Sequence, residues 1–243
     1  VGDEIIGTDR RNEQRIYPYT GGSRFIQTGI LSQSSMTRLG IGLLLLAAAA
    51  GVALFLARGP VVLLFGVAGI ALGVLYSLGP VKLSALGVGE ASVGVAFGVL
   101  PVTGAAWLQG APFDNTVVLF SLPISIWVAA ILLINEVPDI EADSACGKRT
   151  LPVRLGLPAT AALYFAIHAA AAAIVLLLTV QGHLPLLAPV VPAGLLLLAW
   201  RAAASIRGGV AAREAMTRAI ESTLAIHTVG CLWLVGCALY MVW

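Results

Sequence analysis

Thr116-Val-Val-Leu-Phe-Ser-Leu-Pro-Ile-Ser-Ile-Trp-Val-Ala-Ala-Ile-Leu-Leu-Ile-Asn135 runs straight into Glu136-Val-Pro-Asp139-Ile-Glu-Ala-Asp143-Ser-Ala-Cys-Gly-Lys148-Arg149-Thr150-Leu-Pro-Val-Arg154-Leu-Gly156. The first part carries no charge and has the length of about 20 residues that a helix needs to cross a bilayer. The second part gathers polar side chains at the mouth of that segment. If the chain stays helical, Asn135, Asp139 and Asp143, four residues apart, lie on one face. Two carboxylates and an amide are hard oxygen donors suited to Mg²⁺. Lys148, Arg149 and Arg154 suit phosphate. Pro138 is expected to break the helix just above the carboxylates. The plainer reading is a solvated, charged helix end. Against it stand the spacing and the position of Asn135 at the end of an apolar span, where a polar group is costly unless used.

The same pattern of long apolar segments extends outward through the chain. It is 59% hydrophobic and 11% charged, with a mean hydropathy of +0.96, whereas soluble domains carry about 25% charged residues. The apolar runs are continuous rather than alternating, which excludes a porin-like barrel. The expected fold is all-α, a polytopic transmembrane helical bundle in which each helix satisfies its own backbone. Spans are placed at about 39–57, 60–78, 90–108, 116–135, 158–180, 184–200 and 221–243, seven in all, by the bilayer length rule.

Basic residues set the orientation. Thirteen of the 14 lysines and arginines fall on one set of loops, and only Arg58 on the other. By the positive-inside rule, residues 1–38, 79–89, 136–157 and 201–220 face the cytoplasm. Every acidic residue except Asp114 lies on or next to that side. A site is therefore expected at the cytoplasmic face, built from loops 1–38 and 136–157 of a single membrane-embedded domain spanning 1–243. The net charge of +2 says little about partners, and nothing resembles a nucleic-acid patch.

Three further pieces belong to that face. In Gly2-Asp3-Glu-Ile-Ile-Gly7-Thr8-Asp9-Arg10, the six-residue interval keeps Asp3 and Asp9 off a common helix face. Gly7 suggests a helix ending with Asp9 folding back, and a surface turn explains it nearly as well. In Tyr19-Thr20-Gly21-Gly22-Ser23-Arg24, the glycines permit close approach of backbone to a ligand, and Arg24 is placed to meet a phosphate. The alternative is an ordinary flexible loop. In Tyr76-Ser77-Leu-Gly-Pro80-Val-Lys82-Leu-Ser-Ala-Leu-Gly87-Val-Gly89-Glu90, Lys82 faces the same side. Glu90 serves either as a helix-start charge or as a substrate contact.

Together and in this order, these pieces resemble the UbiA superfamily of membrane prenyltransferases. The second motif is the closer match: Asp139-x-x-x-Asp143 followed by Gly147-Lys148-Arg149-Thr150-Leu-x-Val-Arg154-Leu-Gly156. The first resembles the end of Asn-Asp-x-x-Asp at Asp3, with Asp9 as the later aspartate; its Asn and first Asp would precede Val1. Two spans that come first in the family's nine are also absent, so a missing N-terminus is expected. Within the superfamily, the Asp3–Asp9 interval, the Thr20–Arg24 loop and Gly87-x-Gly89-Glu90 with Phe97-Gly98-x-Leu-Pro101-Val-x-Gly104 resemble the branch that prenylates 1,4-dihydroxy-2-naphthoate for menaquinone.

The resemblance implies an enzyme moving a polyprenyl group from its diphosphate to an aromatic acceptor. It implies two Mg²⁺ ions, one on Asp3 and Asp9 and one on Asp139 and Asp143. Arg24, Lys82, Asn135, Lys148, Arg149 and Arg154 would face the diphosphate, and Tyr76 and Glu90 the substrate pocket. The implied partners are the two substrates and the lipid bilayer, with no nucleic acid and no protein partner. The implied location is a prokaryotic inner or plasma membrane. Relatives acting on hydroxybenzoate, chlorophyllide or haem share the chemistry. A transporter would need ionisable groups near the midplane, where this chain has almost none. A non-catalytic scaffold remains a further alternative. Cys146, Cys231 and Cys237 have no ligand spacing and read as free thiols. His168, His183 and His227 are scattered and read as packed or interfacial. Gly94, Gly98 and Gly104 read either as walls of a prenyl groove or as helix-packing contacts.

Overall fold

The computed structural model describes residues 12–77 and 81–242. Among these residues the regular structure is entirely helical. α1 (Gln33–Arg58) and α2 (Val61–Ser77) form a hairpin. α3 runs Gly89–Leu108 and includes one π-helical turn at Val95–Val99. α4 (Asn115–Asn135) leads into the short α5 (Ile140–Ala145). α6 (Leu151–Val180), α7 (Val190–Gly208) and α8 (Arg213–Val242) complete the chain.

Four single helices, α1, α3, α4 and α6, are long and apolar enough to cross a membrane, and so is the joined run Val190–Met241 that contains α7 and α8; α2 is shorter. All seven expected apolar segments are thus helical, and the protein is an all-α polytopic bundle. The boundaries moved where local chemistry overrode hydropathy. The segment expected at 184–200 becomes helical only at Val190, because Pro185 and Pro189 hold a turn first and Pro192 is tolerated only in the opening turn. The segment expected from 158 begins at Leu151, with a break at Gly156, whose φ of 73° and ψ of 167° lie outside the helical region.

α4, α6, α7 and α8 close a ring in which each helix packs on the next. Its interior holds Leu133 and Ile134 from α4, Tyr164 and Leu178 from α6, Ile206 from α7, and Met216, Ile220 and Ile226 from α8, all fully buried. Alanines 130, 161, 171, 199, 202, 203 and 219 fill the seams and let the helices approach. Outward faces carry exposed leucines and valines such as Leu176, Leu197 and Leu232, as suits lipid contact. α1 has no buried residue and is apolar on nearly every side, the signature of a span bathed in hydrocarbon.

α3 lies against α4 through glycine. A Cβ at Gly98 would stand 2.1 Å from Ser125 Oγ and 2.4 Å from Ser125 Cα, and one at Gly94 2.9 Å from Ser125 O. Gly94 and Gly98 are therefore packing contacts. Gly104 instead faces the Phe65 ring and lines an apolar groove between α1, α2 and α3. At one end of the bundle, the start of α1, the end of α2, the 81–88 connector, the end of α4 and the start of α6 meet segment 12–27.

Candidate functional site

The local structure around the acidic stretch follows from two residues. α4 ends at Asn135, and the chain turns through Glu136–Asp139, with Val137 N–H on Ile134 O at 3.3 Å and Asp139 N–H on Glu136 O at 3.1 Å. Pro138 supplies no N–H to continue the helix. α5 then opens at Asp139, and Asp143 N–H donates to Asp139 O at 2.8 Å. Asp139 and Asp143 share a face of this new turn, whereas Asn135 stays on α4. The single stripe through all three residues is not formed, because the helix breaks between Asn135 and Asp139.

Gly147 (φ 75°) ends α5 in the left-handed conformation. Its N–H reaches Ser144 O at 3.0 Å, and Lys148 N–H reaches Asp143 O at 2.9 Å. This double cap is the Schellman arrangement, which asks for glycine at that position. The reversal folds Lys148 back onto its own helix, with Nζ 3.3 Å from Asp143 Oδ1. Asp143 is 4% and Lys148 8% exposed, so the pair is desolvated and its charges are only weakly screened.

Segment 12–27 lies across this corner. Asn12 Nδ2 donates to Asp139 Oδ1 at 2.6 Å, and Gln14 Nε2 to Glu141 Oε2 at 2.7 Å. Tyr19 OH donates to Glu221 Oε1 at 3.0 Å, and the Arg213 guanidinium to Arg15 O at 2.5 Å. Arg24, at φ 55°, turns its guanidinium back onto the carbonyl of Asn12. Gly21 (φ 73°) allows this fold; a Cβ there would meet Arg15 Cβ at 2.8 Å.

A cavity of about 320 Å³ lies between these pieces, and its wall includes Asn12, Arg24, Tyr76, Ser84, Glu136, Asp139, Asp143, Lys148 and Thr150. Of the residues expected at the site, the fold brings together Arg24, Tyr76, Asp139, Asp143 and Lys148. Lys82, Glu90, Asn135, Arg149 and Arg154 stand off the cavity wall. Arg149 and Arg154 are exposed and brace the neighbouring connector. Arg149 N–H donates to Ala85 O at 2.9 Å, and Arg154 Nε to Arg149 O at 2.9 Å. Asp3 and Asp9 lie outside the described residues.

Glu136 on the wall and Glu90 behind it are 7% and 5% exposed. Burial first, then the hydrogen bond and charge of Glu90, push the Glu136 carboxyl up to about 11. Glu90 Oε1 and Oε2 and Glu136 Oε2 are buried without a hydrogen-bond donor, and a proton on Glu136 supplies one. This wall is therefore mixed in charge, with two carboxylates, one neutral carboxyl and two cations.

The donor set suits a hard cation. No group of three His, Cys, Asp or Glu side chains among the described residues is placed to hold a metal. The wall instead joins the Asp139 and Asp143 carboxylates to the amide oxygen of Asn12, buried without a hydrogen-bond partner. Oxygen donors of this kind match Mg²⁺. Sequence reasoning missed Asn12, Glu136 and Thr150. Thr150 stood inside the quoted motif and Glu136 directly after the apolar run, but Asn12 carried no local signal.

Residues 8–220 match the family model described as the UbiA prenyltransferase family. The chain belongs to this family. Several UbiA relatives with similar sequences share one name. The chain is 33% identical over 167 residues to 1,4-dihydroxy-2-naphthoate octaprenyltransferase of Haemophilus influenzae, a match covering 64% of this chain and 50% of that protein. The protein of the same name in Escherichia coli is 33% identical over 161 residues, covering 64% of this chain and 50% of the relative. The Mycobacterium tuberculosis protein of that name is 31% identical over 227 residues, covering 92% of this chain and 73% of the relative. The match thus spans about half the length of the first two relatives and nearly three quarters of the third. No solved structure matches the chain significantly.

Proposed function

We propose that this UbiA-family chain transfers a polyprenyl group from its diphosphate to an aromatic acceptor, and that the acceptor is 1,4-dihydroxy-2-naphthoate. The observation that carries the reading is the cavity wall itself. Asp139, Asp143, Lys148 and Arg24 meet there, at the end of an apolar bundle. A polar pocket for a diphosphate thus opens beside apolar helix surface fit for an isoprenoid tail. The naphthoate assignment is supported by the names of the similar sequences. The charge asymmetry of the loops supports a cytoplasmic mouth.

In the reaction, the allylic C–O bond breaks and its electron pair leaves with the diphosphate. The ring carbon bearing the carboxylate forms the new C–C bond, and loss of CO₂ returns the ring to aromaticity. Lys148 and Arg24 hold negative phosphate oxygens by charge-assisted hydrogen bonds. Asp139 and Asp143 would hold Mg²⁺, with Asp3 and Asp9 holding a second ion. When bound, Mg²⁺ neutralises the diphosphate and so makes it a better leaving group. Phe25, Met36 and Leu132, apolar residues on the same wall, would help to keep water from an allylic cation.

The test is prenyl transfer in membranes carrying the protein, with dihydroxynaphthoate and hydroxybenzoate offered alongside several prenyl diphosphates and products read by mass. A prenylated, decarboxylated 1,4-naphthalenediol product is expected. Transfer to hydroxybenzoate alone overturns the acceptor, and no transfer to either overturns the activity. Stripping with EDTA is expected to stop turnover and Mg²⁺ to restore it; turnover that survives stripping overturns the metal assignment.

A further inference from the structure

Asn12 sits at the junction of the acidic corner and the segment that crosses it. Its side chain is 3% exposed. Its Nδ2 donates to Asp139 Oδ1 at 2.6 Å, and its carbonyl accepts from Arg24. An ionised carboxylate accepts only, so the amide must turn its nitrogen toward Asp139. Oδ1 is thereby turned elsewhere, and it is buried with no donor to meet it. A buried carbonyl oxygen left this way is costly. The segment is anchored further along as well, since Gln14 is tied to Glu141 and Tyr19 to Glu221.

We propose that Asn12 is both a positioning residue for Asp139 and an oxygen donor to the cation that Asp139 and Asp143 hold. An acceptor oxygen in a diphosphate pocket cannot pair with phosphate oxygens, which are acceptors too; a cation is the natural partner. Amide oxygens also take their place among carboxylates around hard cations, and an outer N–H donor that orients a ligating carboxylate contributes strongly to metal affinity. This inference rests on the cation reading of the cavity given above.

The test is a titration of Mn²⁺, followed by its electron paramagnetic resonance signal, into purified protein in lipid nanodiscs with inorganic pyrophosphate present. Wild type, Asn12→Leu, Asn12→Asp and Asp139→Ala are compared. Asn12→Leu removes both functions in similar volume and is expected to weaken Mn²⁺ binding about 10–100-fold. Asn12→Asp returns an oxygen without the N–H and is expected to fall between wild type and Asn12→Leu. Should Asn12→Leu fail to fold, Asn12→Ser, too short to span Asp139 and the cation at once, is expected to weaken binding in the same direction. Wild-type affinity in Asn12→Leu or Asn12→Ser overturns the inference, and so does Asn12→Asp binding no better than Asn12→Leu. If Asp139→Ala alone weakens binding, the inference about Asn12 falls and the cation reading stands; if Asp139→Ala also binds as wild type, the cation reading falls with it.

Discussion

Lys148 and Arg149 are neighbours in one basic run, yet the fold gives them opposite surroundings. Lys148 is 8% exposed, on the cavity wall, against Asp143. Arg149 is exposed and uses its backbone to hold the connector through Ala85. Arg154, five residues further on, caps the Arg149 carbonyl. The left-handed turn at Gly147 makes the difference. It folds the next side chain inward onto α5 and leaves the one after it pointing away. A run of cations that looks uniform in sequence is thus split into one residue on the cavity wall and two that brace the connector.

The largest effect should come from the inward side. Asp139→Ala and Asp143→Ala are each expected to lower turnover by about 10²–10³-fold or more, the scale of losing a principal charge-stabilising group. Product formation in membranes carrying matched amounts of folded protein measures this. Near-normal rates in both variants would remove the site from this corner.

Lys148→Met probes the buried pair. Removing one partner of a buried ion pair typically costs about 3–5 kcal/mol. Denaturant unfolding in detergent should show that loss, together with a raised KM for the prenyl diphosphate. A variant as stable as wild type would mean that Asp143 is solvated after all.

Glu136→Gln tests the neutral part of the wall. Its folded pKa is raised to about 11 from 4.5. The stability contributed by the protonated group is therefore complete below the lower value and is lost as pH rises through the upper one. Wild type is expected to lose thermal stability between about pH 6 and about pH 9, and Glu136→Gln to lose less over the same range. Parallel curves would place the proton elsewhere.

The smallest effects belong to the outward side. Arg154→Ala removes an exposed hydrogen bond and is expected to cost about 0.5–1.5 kcal/mol. Arg149→Ala, whose contact with Ala85 is made by its backbone, is expected to raise KM for the diphosphate less than Lys148→Met does. An Arg149→Ala defect larger than that of Lys148→Met would reverse the comparison.

The helices were legible because hydropathy over about 20 residues is a local signal with a direct physical cause. Their ends were less so. Pro185 and Pro189 delayed α7, and Gly156 broke the start of α6, through backbone geometry that a hydropathy average does not register. At the site, Asp139, Asp143 and Lys148 were legible together, since one short helix and its glycine cap bring them into contact. Arg24 and Tyr76 also reached the cavity, but from distant segments. Asn12 escaped notice because its partner Asp139 is 127 positions away, and a lone asparagine has many ordinary explanations.

By itself, then, the sequence determined that this is a membrane helical bundle with an acidic and basic corner at one end, because apolar length and the spacing around Pro138 and Gly147 act within a few turns of chain. Only the tertiary structure decided which polar groups share the cavity. That choice depends on how segment 12–27 crosses α5 and how α2 and α4 converge, and so on contacts between parts of the chain that no local pattern links.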